Sequence, residues 1–437
     1  MTKEELKQRK VSAISLGCDK NRVDLEHVLY LLKEYGFTLT EDIHEAEIIF
    51  VNTCAFIAPA RKEAIENIIA VIHEKTCGKV EKIIVGGCLP QRNLEELRHS
   101  LPEVDYFLDY KCNDKIINVI EEIYGVKPTK PSGTEHKRVL TTLAHYSYLK
   151  ISEGCDNVCA YCSIPRIRGR FRSIPIPNLI KEAKELASSG VKELIIVAQD
   201  VTRYGQDIGS SLLELLKELV KIKGFEWIRL HYLYPELITD ELLDFIKNEE
   251  KICKYIDIPL QHIDDTILKN MNRRSSEQQI NALMKKLKEK YPEICVRSTF
   301  IVGFPGETSK QFKKLCNFLK HYKLDNVGFF PYYREPNTKA YFYKKQISDI
   351  IKRRRLKKIT ALQGEIALFK NIQRIGEIHK AIIDFYDEEN KYFVARTQFC
   401  SPSVDFCVII DADVEVGKFY DIRITDVSEV GYKGELV

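Results

Sequence analysis

The stretch YSYLKISEGCDNVCAYC, residues 146–162, joins an apolar run to three closely spaced cysteines. Residues 146–152 have the composition of a buried strand, and Cys155, Cys159 and Cys162 follow in a C-x3-C-x2-C spacing, here called the loop triad. Three thiolates on one loop can hold three irons of a cubane [4Fe–4S] cluster and leave the fourth iron open to a substrate or cofactor. The alternatives are a structural zinc site, which takes four closed ligands, and three unrelated core cysteines.

On both sides of this loop, residues 146–365 alternate between apolar runs and amphipathic stretches. Strands are predicted at 146–152, 193–199, 227–232, 255–260, 295–303 and 326–332. Helices are predicted between them, at about 177–189, 211–222, 238–249, 276–290 and 307–322. Strands joined in this way by right-handed crossovers predict either an open doubly wound sheet or a curved partial barrel.

The same alternation fills the first 125 residues. Strands are predicted at 11–17, 47–52, 82–87 and 104–109, and helices at 21–37, 59–75, 91–100 and 113–124. Apolar strands that alternate with helices indicate a parallel sheet covered on both faces. Residues 126–145 have the composition of a linker, with two prolines, a Ser-Gly and mixed charge.

Helical periodicity stops near residue 371, and short β-rich runs take its place. They are AIIDFY, YFVARTQ, CVIID and FYDIRITDV, a pattern typical of a small antiparallel β-barrel. The fold class predicted is therefore a multidomain α/β protein. Its three domains are an α/β domain at 1–130, a six-stranded α/β domain at 146–368 and a β-barrel at 371–437.

A second set of cysteines becomes visible once the strands are placed. Cys18, Cys54 and Cys88, here called the strand-end triad, each follow a predicted strand of the first sheet by one or two residues. Because the carboxyl ends of parallel strands share one edge, we expect these three thiols to converge into a second metal site with an open position. Buried cysteines near strand ends are also common without any metal, and that is the alternative.

Composition restricts the class of protein. The chain has 437 residues, 13 cysteines and a formal net charge of +4. An odd number of cysteines argues against complete disulfide pairing. The amino terminus MTKEELKQRK lacks the apolar segment of a secretory signal, and no window reaches the roughly 18 apolar residues of a membrane span. We therefore expect a cytoplasmic protein without membrane association, in which clustered cysteines bind metal or act in catalysis.

The loop triad, with Tyr161 inside it, resembles the signature of the radical S-adenosylmethionine superfamily. The resemblance implies a (β/α)6 partial barrel, with S-adenosylmethionine bound to the open iron of a [4Fe–4S] cluster. It also implies that one electron cleaves S-adenosylmethionine, and that the resulting 5′-deoxyadenosyl radical abstracts hydrogen from an unactivated C–H bond. The cofactor-binding residues it implies are Tyr161, Gln199 and Asp200 in VAQD, Gln261 in IPLQH, and Gly303 and Gly306 in GFPGET.

Three further motifs resemble the methylthiotransferase family within that superfamily: ISLGCDKNRVDLE (14–26), VNTCAFI (51–57) and VGGCLPQR (85–92). This resemblance extends over essentially the whole chain and identifies the carboxyl-terminal barrel as TRAM-like. It implies two [4Fe–4S] clusters, one on the loop triad and an auxiliary one on the strand-end triad that carries the sulfur to be inserted. No catalytic residue beyond the cluster ligands is assigned.

SLGCDKN, VAQDVTRYG and IDIPLQH also resemble the RimO branch of the family, which modifies an aspartate of a small-subunit ribosomal protein, S12. The resemblance implies methylthiolation of the aspartate β-carbon, with a basic ribosomal protein as partner and an electron donor such as flavodoxin or ferredoxin. The alternatives are a tRNA adenosine methylthiotransferase, which is the other large branch, and a non-catalytic iron–sulfur or zinc protein that binds ribosomes.

Charge distinguishes between these substrates. Residues 371–437 hold seven Lys and Arg against 13 Asp and Glu, a net charge of −6, which leaves +10 for the remainder. An acidic barrel would repel RNA phosphates and attract a protein rich in Lys and Arg. A protein substrate is therefore favoured and tRNA is not, although a merely solvated acidic surface is the alternative.

Two basic segments remain. The run IIKRRRLKK (350–358) is predicted to be a solvated helix face, with contact to ribosomal RNA or to the acidic barrel as alternatives. Arg168, Arg170 and Arg172 follow the loop triad and are predicted to form local salt bridges or to position an acidic substrate side chain.

Overall fold

The structure is a computed structural model that describes residues 3–110, 112–125, 137–428 and 431–437. Residues 126–136 of the predicted linker lie outside the described residues. The described chain forms two compact units. The first is drawn from residues 1–142, 148–158 and 162–185, and the second from residues 143–147, 159–161 and 186–437. No helix in the described parts of the chain is both long enough and apolar enough to cross a membrane.

The secondary structure follows the predicted alternation. Up to residue 188 the helices are α1 Lys3–Leu6, α2 Asp19–Tyr35, α3 Ala58–Cys77, α4 Cys88–Ser100, α5 Cys112–Tyr124, α6 Ile164–Arg168 and α7 Ile176–Ser188. The strands of that part are β1 Lys10–Ser15, β2 Thr38–Leu39, β3 Ile48–Thr53, β4 Lys82–Gly87, β5 Tyr106–Phe107, β6 Tyr146–Lys150, β7 Ser152–Glu153 and β8 Arg172–Ser173.

From residue 193 to residue 372 the strands are β9 Glu193–Val197, β10 Trp227–Leu230, β11 Ile252–Gln261, β12 Cys295–Val302 and β13 Asn326–Pro331. The helices there are α8 Leu212–Leu219, α9 Asp240–Asn248, α10 Asp265–Asn270, α11 Glu277–Lys290, α12 Ser309–Tyr322 and α13 Asp349–Ile372. The last strands are β14 Ile378–Asp387, β15 Tyr392–Thr397, β16 Cys407–Ile410, β17 Phe419–Ser428 and β18 Gly431–Leu436.

The sheet of the first unit is parallel, in the order β2-β1-β3-β4-β5. Apolar residues of α2 and α5 pack on one face, and those of α3 and α4 pack on the other. Strand β3 is buried along its whole length, as expected for a strand covered on both faces. The predicted α/β layer structure is confirmed. Strand β2 was not predicted, because two residues are too few to show a periodic pattern.

The six-stranded sheet runs in chain order, β6-β9-β10-β11-β12-β13. A doubly wound sheet reverses its strand order at a switch point, whereas here every crossover leads to the next strand in the same direction. The sheet is therefore a partial barrel, and the second of the two predicted arrangements is confirmed. Because the strands are parallel, their carboxyl ends open on one mouth.

Strands β14 to β18 close into a barrel in the order β14-β15-β16-β18-β17. Four of the pairings between these described strands are antiparallel, and the pairing of β16 with β18 is parallel. The predicted small barrel is confirmed, with this parallel pair as a refinement. Strand β18 was not predicted, because GYKGEL contains two glycines and little apolar character.

A buried ion-pair network joins the barrel to the six-stranded sheet within the second unit. Glu193, at the start of β9, accepts from Arg229 and from Arg396 of the barrel, both at 2.6 Å. Arg396 also donates to Asp384 at 2.6 Å, and the same carboxylate lies 2.8 Å from the Nε2 of His145. These side chains are nearly inaccessible to solvent, so each charge is stabilised by its ion-pair partners rather than by water.

We expect Arg396→Met to destabilise the protein by about 3–5 kcal/mol, because it leaves the buried Glu193 and Asp384 carboxylates short of a cation. Burial by itself raises the Glu193 pKa, but Arg229 and Arg396 hold it below the usual value. The stabilisation is therefore present at neutral pH and is lost as pH falls through the carboxyl range. Urea denaturation at several pH values measures both effects.

The matched control is Arg423→Met, because Arg423 is half exposed and its one ion pair within the described residues is to an exposed glutamate at 3.9 Å. It should change stability by less than about 1 kcal/mol at any pH. Equal effects of the two substitutions would contradict a structural role for the network.

Candidate active site

The strand-end triad lies where three neighbouring strands of the first sheet end. Cys18 precedes α2, Cys54 follows β3, and Cys88 is the first residue of α4 directly after β4. Their strands β1, β3 and β4 are adjacent in the sheet. Gly17 has a φ of +112°, and a Cβ there would lie 2.8 Å from the Cβ of Cys54. Glycine therefore permits the turn and the close approach of the first two cysteine loops.

The thiols of this triad lie close enough to influence one another. The pKa of Cys88 is raised to about 12, chiefly by burial and in smaller part by the charges of Cys18 and Cys54, while the charge of Arg168 opposes the rise. Burial likewise raises the pKa of Cys54. A buried thiol with a raised pKa keeps its proton until a nearby cation compensates the thiolate. Among the described residues, no three His, Cys, Asp or Glu side chains converge on a point where one ion could be held.

Arg168 approaches this triad from the carboxyl end of α6. Its Nη1 donates to Asp24 at 2.9 Å and to Glu153 at 3.0 Å, and its Nη2 donates to the Oδ1 of Asn21. The side chain of Arg168 is 1% exposed. The Sγ of Cys88 lies 3.5 Å from the same Asn21 oxygen. The guanidinium therefore separates two carboxylates from the cysteines, which confirms the predicted local salt bridge at Arg168.

No sequence pattern distinguishes Arg168 from its two arginine neighbours, Arg170 and Arg172. Its partners come from helix α2 and from strand β7, far apart in the chain, and no motif spacing connects them. Arg170, by contrast, is 90% exposed and lies 3.5 Å from Asp156. Only the fold distinguishes the buried arginine from the exposed one.

If both triads bind iron as the sequence predicts, we expect the Arg168→Met variant to lose iron from the strand-end triad while the loop triad retains its iron. Without the guanidinium, Asp24 and Glu153 would face the buried thiolates with only Lys150 to balance them. Leaving buried charges unpaired costs about 3–5 kcal/mol. Iron content per chain and the electron paramagnetic resonance spectrum measure the loss. Arg170→Met is the control and should keep both signals; if Arg168→Met also kept them, the guanidinium would have no part in binding iron.

The loop triad is held by backbone hydrogen bonds on each side. The N–H of Cys155 donates to the carbonyl of Gly169 at 3.1 Å. The Sγ atoms of Cys155 and Cys162 each accept an N–H two residues further along, at 3.4 Å. Hydrogen bonds to sulfur stabilise thiolates and help to set the potential of an iron–sulfur cluster. In the second unit, Ala160 is fixed by backbone bonds to Met271 and Ala340, both at 2.8 Å.

Arg273 is a second arginine that sequence analysis missed. Its Nη1 lies 3.9 Å from the Sγ of Cys159, and its Nη2 donates to the carbonyl of Pro259 at 2.8 Å. Its guanidinium stacks 4.3 Å from the ring centre of Tyr234. The only signal in the sequence is the pair of arginines in MNRR, which has no spacing that would point to a cysteine.

The residues predicted to bind S-adenosylmethionine stand at the carboxyl-end mouth of the partial barrel. Gln199 follows β9, and its Oε1 is buried without a hydrogen-bond partner among the described residues. Asp200 accepts from the hydroxyl of Thr202 at 2.7 Å and from the N–H of Arg203 at 3.2 Å. Gln261 ends β11 with a φ of +69°. Strained backbone and an orphan polar atom are features of ligand sites.

The turn after β12 completes this mouth. Gly303 and Gly306 have φ values of +73° and +87°, and a Cβ at Gly303 would lie 2.5 Å from the Cγ of Lys352. Glu307 holds the turn, because it accepts from the N–H of Gly303 at 2.5 Å and from Arg355 at 2.9 Å. Burial raises the Glu307 pKa to about 7, an effect that Arg355 partly offsets. Tyr161 packs edge-on against Phe304 of the same turn, with ring centres 6.4 Å apart.

These features fit the cofactors of a radical enzyme. Cysteine thiolates are the usual ligands of iron–sulfur clusters, and each triad leaves one position of a cubane open. The mouth beside Cys159 offers an unpartnered amide oxygen and a glycine turn to a polar organic ligand. The donor set and the mouth therefore suit [4Fe–4S] clusters and S-adenosylmethionine.

Comparison with known families matches three segments of the chain. Residues 149–319 match the radical SAM superfamily, residues 10–109 match an uncharacterised protein family, UPF0004, and residues 375–437 match the TRAM domain. The segments contain, in turn, the loop triad, the strand-end triad and the closed barrel.

Similar curated proteins span the full chain. A relative from Pelobacter propionicus is 43% identical over 99% of both chains, and one from Geobacter sulfurreducens is 42% identical over 98% of this chain and 99% of its own. Both are named ribosomal protein uS12 methylthiotransferase RimO. Among solved structures, the radical S-adenosylmethionine methyltransferase TsrM from Kitasatospora setae has a TM-score of 0.58 at 14% identity, covering 82% of this chain and 89% of its own. That likeness concerns the fold alone.

Proposed function

The chain belongs to the RimO family of radical S-adenosylmethionine methylthiotransferases, and on this premise we propose that it attaches a methylthio group to the β-carbon of an aspartate in ribosomal protein S12. The observation that carries the proposal is the presence of two separate cysteine triads, one on the loop that opens the partial barrel and one at neighbouring strand ends. A single radical cluster would need only the first triad, whereas sulfur insertion needs a second.

The family uses S-adenosylmethionine and [4Fe–4S] clusters. We assign the radical-generating cluster to Cys155, Cys159 and Cys162. We assign the auxiliary cluster to the strand-end triad of Cys18, Cys54 and Cys88. When bound, these groups supply the electron that cleaves S-adenosylmethionine, the radical that abstracts hydrogen, and the sulfur and methyl group that are added.

The residues of the chain bind S-adenosylmethionine, orient the substrate and exclude water from the site. Tyr161, Gln199, Asp200, Gln261 and the turn from Gly303 to Gly306 hold S-adenosylmethionine at the mouth. The unpartnered Oε1 of Gln199 supplies a hydrogen-bond acceptor, and the glycines let the backbone approach the ligand. Holding the target C–H bond close to the reactive carbon accounts for much of the rate, because a short-lived radical must meet its substrate at once.

The remaining assignments follow the same premise. The domains are residues 1–130, 146–368 and 371–437, and the enzyme acts in the cytoplasm, where a flavodoxin or ferredoxin supplies electrons. The barrel contributes to recognition of S12. Its exposed carboxylates include Glu389, Asp411, Asp413 and Asp421, and they attract a substrate rich in Lys and Arg.

A reaction with two substrates tests the proposal. Protein reconstituted with iron and sulfide under anaerobic conditions is incubated with S-adenosylmethionine, a reductant, and either purified S12 or bulk tRNA. Mass spectrometry of the products should find a methylthio group on one aspartate of S12 and none on tRNA. A methylthio group on adenosine of tRNA would assign the chain to the other branch, and 5′-deoxyadenosine without any methylthiolated product would contradict the proposal.

A further inference from the structure

Positive charge is concentrated in one part of the second unit. Residues 309–364 hold 15 Lys and Arg against three Asp and Glu, a net charge of +12, whereas the whole chain carries +4. This segment contains α12, β13 and the amino-terminal part of α13. The positive excess of the chain is therefore a local feature, and the remainder is net negative.

Some of these cations serve the fold. Arg355 is buried against Glu307, Lys314 pairs with Asp264 and Glu277, and Lys352 pairs with Asp349. The prediction of a solvated face over residues 350–358 is therefore wrong for Lys352 and Arg355, which are buried because they support the turn after β12. These three cations are not available to a partner.

Ten of the other twelve cations form an exposed surface, here called the basic face. Among the described residues, none of its side chains makes an ion pair. Helix α12 contains no carboxylate at all. The residues of the basic face are Lys310, Lys313, Lys320, Lys339, Lys344, Lys345, Arg353, Arg354, Lys357 and Lys358.

Helices α12 and α13 bring their cations together. The two helices pack against each other, and the charges of Lys358 and Lys320 both act on the Cys316 thiol between them. Residues spaced three or four apart share one side of a helix, so Lys313 joins Lys310, and Lys357 joins Arg353. Each helix therefore carries a row of like charge, which costs stability through self-repulsion unless a polyanion covers it.

Exposed aromatic rings accompany this charge. Phe342 is 73% exposed and Phe330 is 50% exposed, which is high for large apolar side chains. Arg334 stacks 4.4 Å from the ring centre of Tyr341, beside Phe342. Bases stack on exposed rings and on arginine planes, and cations beside them bind phosphates. The combination fits RNA better than it fits an acidic protein.

The basic face also borders the proposed S-adenosylmethionine site. The N–H of Gly306 donates to the carbonyl of Lys345 at 2.8 Å, and Lys344 and Lys345 line a cavity together with Gly306. An RNA bound to the face would therefore lie beside the mouth where the substrate side chain must enter.

We propose that the basic face binds RNA of the small ribosomal subunit, and that the enzyme recognises S12 within an RNA-containing particle rather than as a free protein. The choice of particle rests on the proposed function. A basic protein such as S12 would itself be repelled by this face, so the face and the acidic barrel suit the two components of one particle, RNA and protein. Phosphate contacts of this kind weaken steeply with salt.

The test compares two triple variants on two substrates. Lys320→Glu, Arg354→Glu and Lys357→Glu together reverse the basic face, and Lys79→Glu, Lys181→Glu and Lys184→Glu reverse three exposed lysines of the first unit as a control. The substrates are small-subunit particles that contain unmodified S12 and a free peptide with the target aspartate. We expect the basic-face variant to raise KM for the particle by about tenfold or more, and to flatten its salt dependence by about one phosphate contact per charge removed.

The same variant should act on the free peptide with unchanged kcat and KM, and thermal unfolding shows that it is folded. The control variant should match the unmodified enzyme on both substrates. Equal KM values for the two variants on the particle, or loss of peptide activity in the basic-face variant alone, would overturn the proposal. Inhibition of the particle reaction by tRNA as strongly as by ribosomal RNA would also overturn it. Absence of activity on both substrates in the unmodified enzyme would instead contradict the proposed function. In that case, the salt dependence of particle binding would still test whether the basic face binds RNA.

Discussion

Replacing Cys155, Cys159 and Cys162 together by Ala is expected to abolish formation of 5′-deoxyadenosine and of methylthiolated S12. The loop triad is the proposed site of the radical-generating cluster, and cleavage of S-adenosylmethionine requires an electron from that cluster. The strand-end triad should keep its iron, because its ligands and Arg168 belong to other loops and to α6. Liquid chromatography of the reaction and iron analysis measure the two outcomes.

The control for this experiment is Cys316→Ala. Cys316 is a buried thiol of α12, its pKa is raised by burial, and it belongs to neither triad. Its replacement should leave 5′-deoxyadenosine formation within about twofold of the unmodified enzyme, since a small side chain replaces another in the core. If the triple variant still formed 5′-deoxyadenosine at a comparable rate, the loop triad would not hold the radical cluster.

The second large effect concerns Cys18, Cys54 and Cys88. Their replacement by Ala is expected to spare cleavage of S-adenosylmethionine but to stop sulfur insertion into S12. The two functions separate because the residues proposed for S-adenosylmethionine line the mouth of the partial barrel, whereas the strand-end triad belongs to the parallel sheet of the first unit. A single assay can follow both products.

The result should be 5′-deoxyadenosine without a methylthio group. Methylthiolated S12 in amounts near those of the unmodified enzyme would show that the sulfur does not come through the strand-end triad. A folding defect is distinguished by thermal unfolding and by the retained S-adenosylmethionine cleavage, which a misfolded chain would lose as well.

Much of the architecture could be predicted from periodicity. The strands of both parallel sheets are mainly apolar and the helices between them are amphipathic, so the order and approximate bounds of both are visible in the sequence. The placement of Cys18, Cys54 and Cys88 at the ends of three adjacent strands could also be predicted, and β1, β3 and β4 do lie side by side in the sheet. Strands β2 and β18 were not predicted, because β2 is only two residues long and β18 is polar and contains glycine.

The polar partners could not be predicted in the same way. Arg168 and Arg273 each approach a cysteine through contacts that join residues far apart in sequence, and such contacts depend on the fold rather than on spacing. The same is true of the basic run in α13. From sequence it is one block of charge, but the helix turns Arg355 inward to Glu307 and leaves Arg354 exposed. Helical periodicity shows which cations share a side of the helix, but only the packing of the helix shows which side is buried and which can bind a partner.

The most direct test of the central claim is the intact mass of S12 from cells with and without this enzyme. S12 from cells with the active enzyme should be heavier by one methylthio group in place of a hydrogen, on a single aspartate. This added mass should be lost when either cysteine triad is replaced. S12 of identical mass in the presence and absence of the enzyme would show that the chain does not methylthiolate S12.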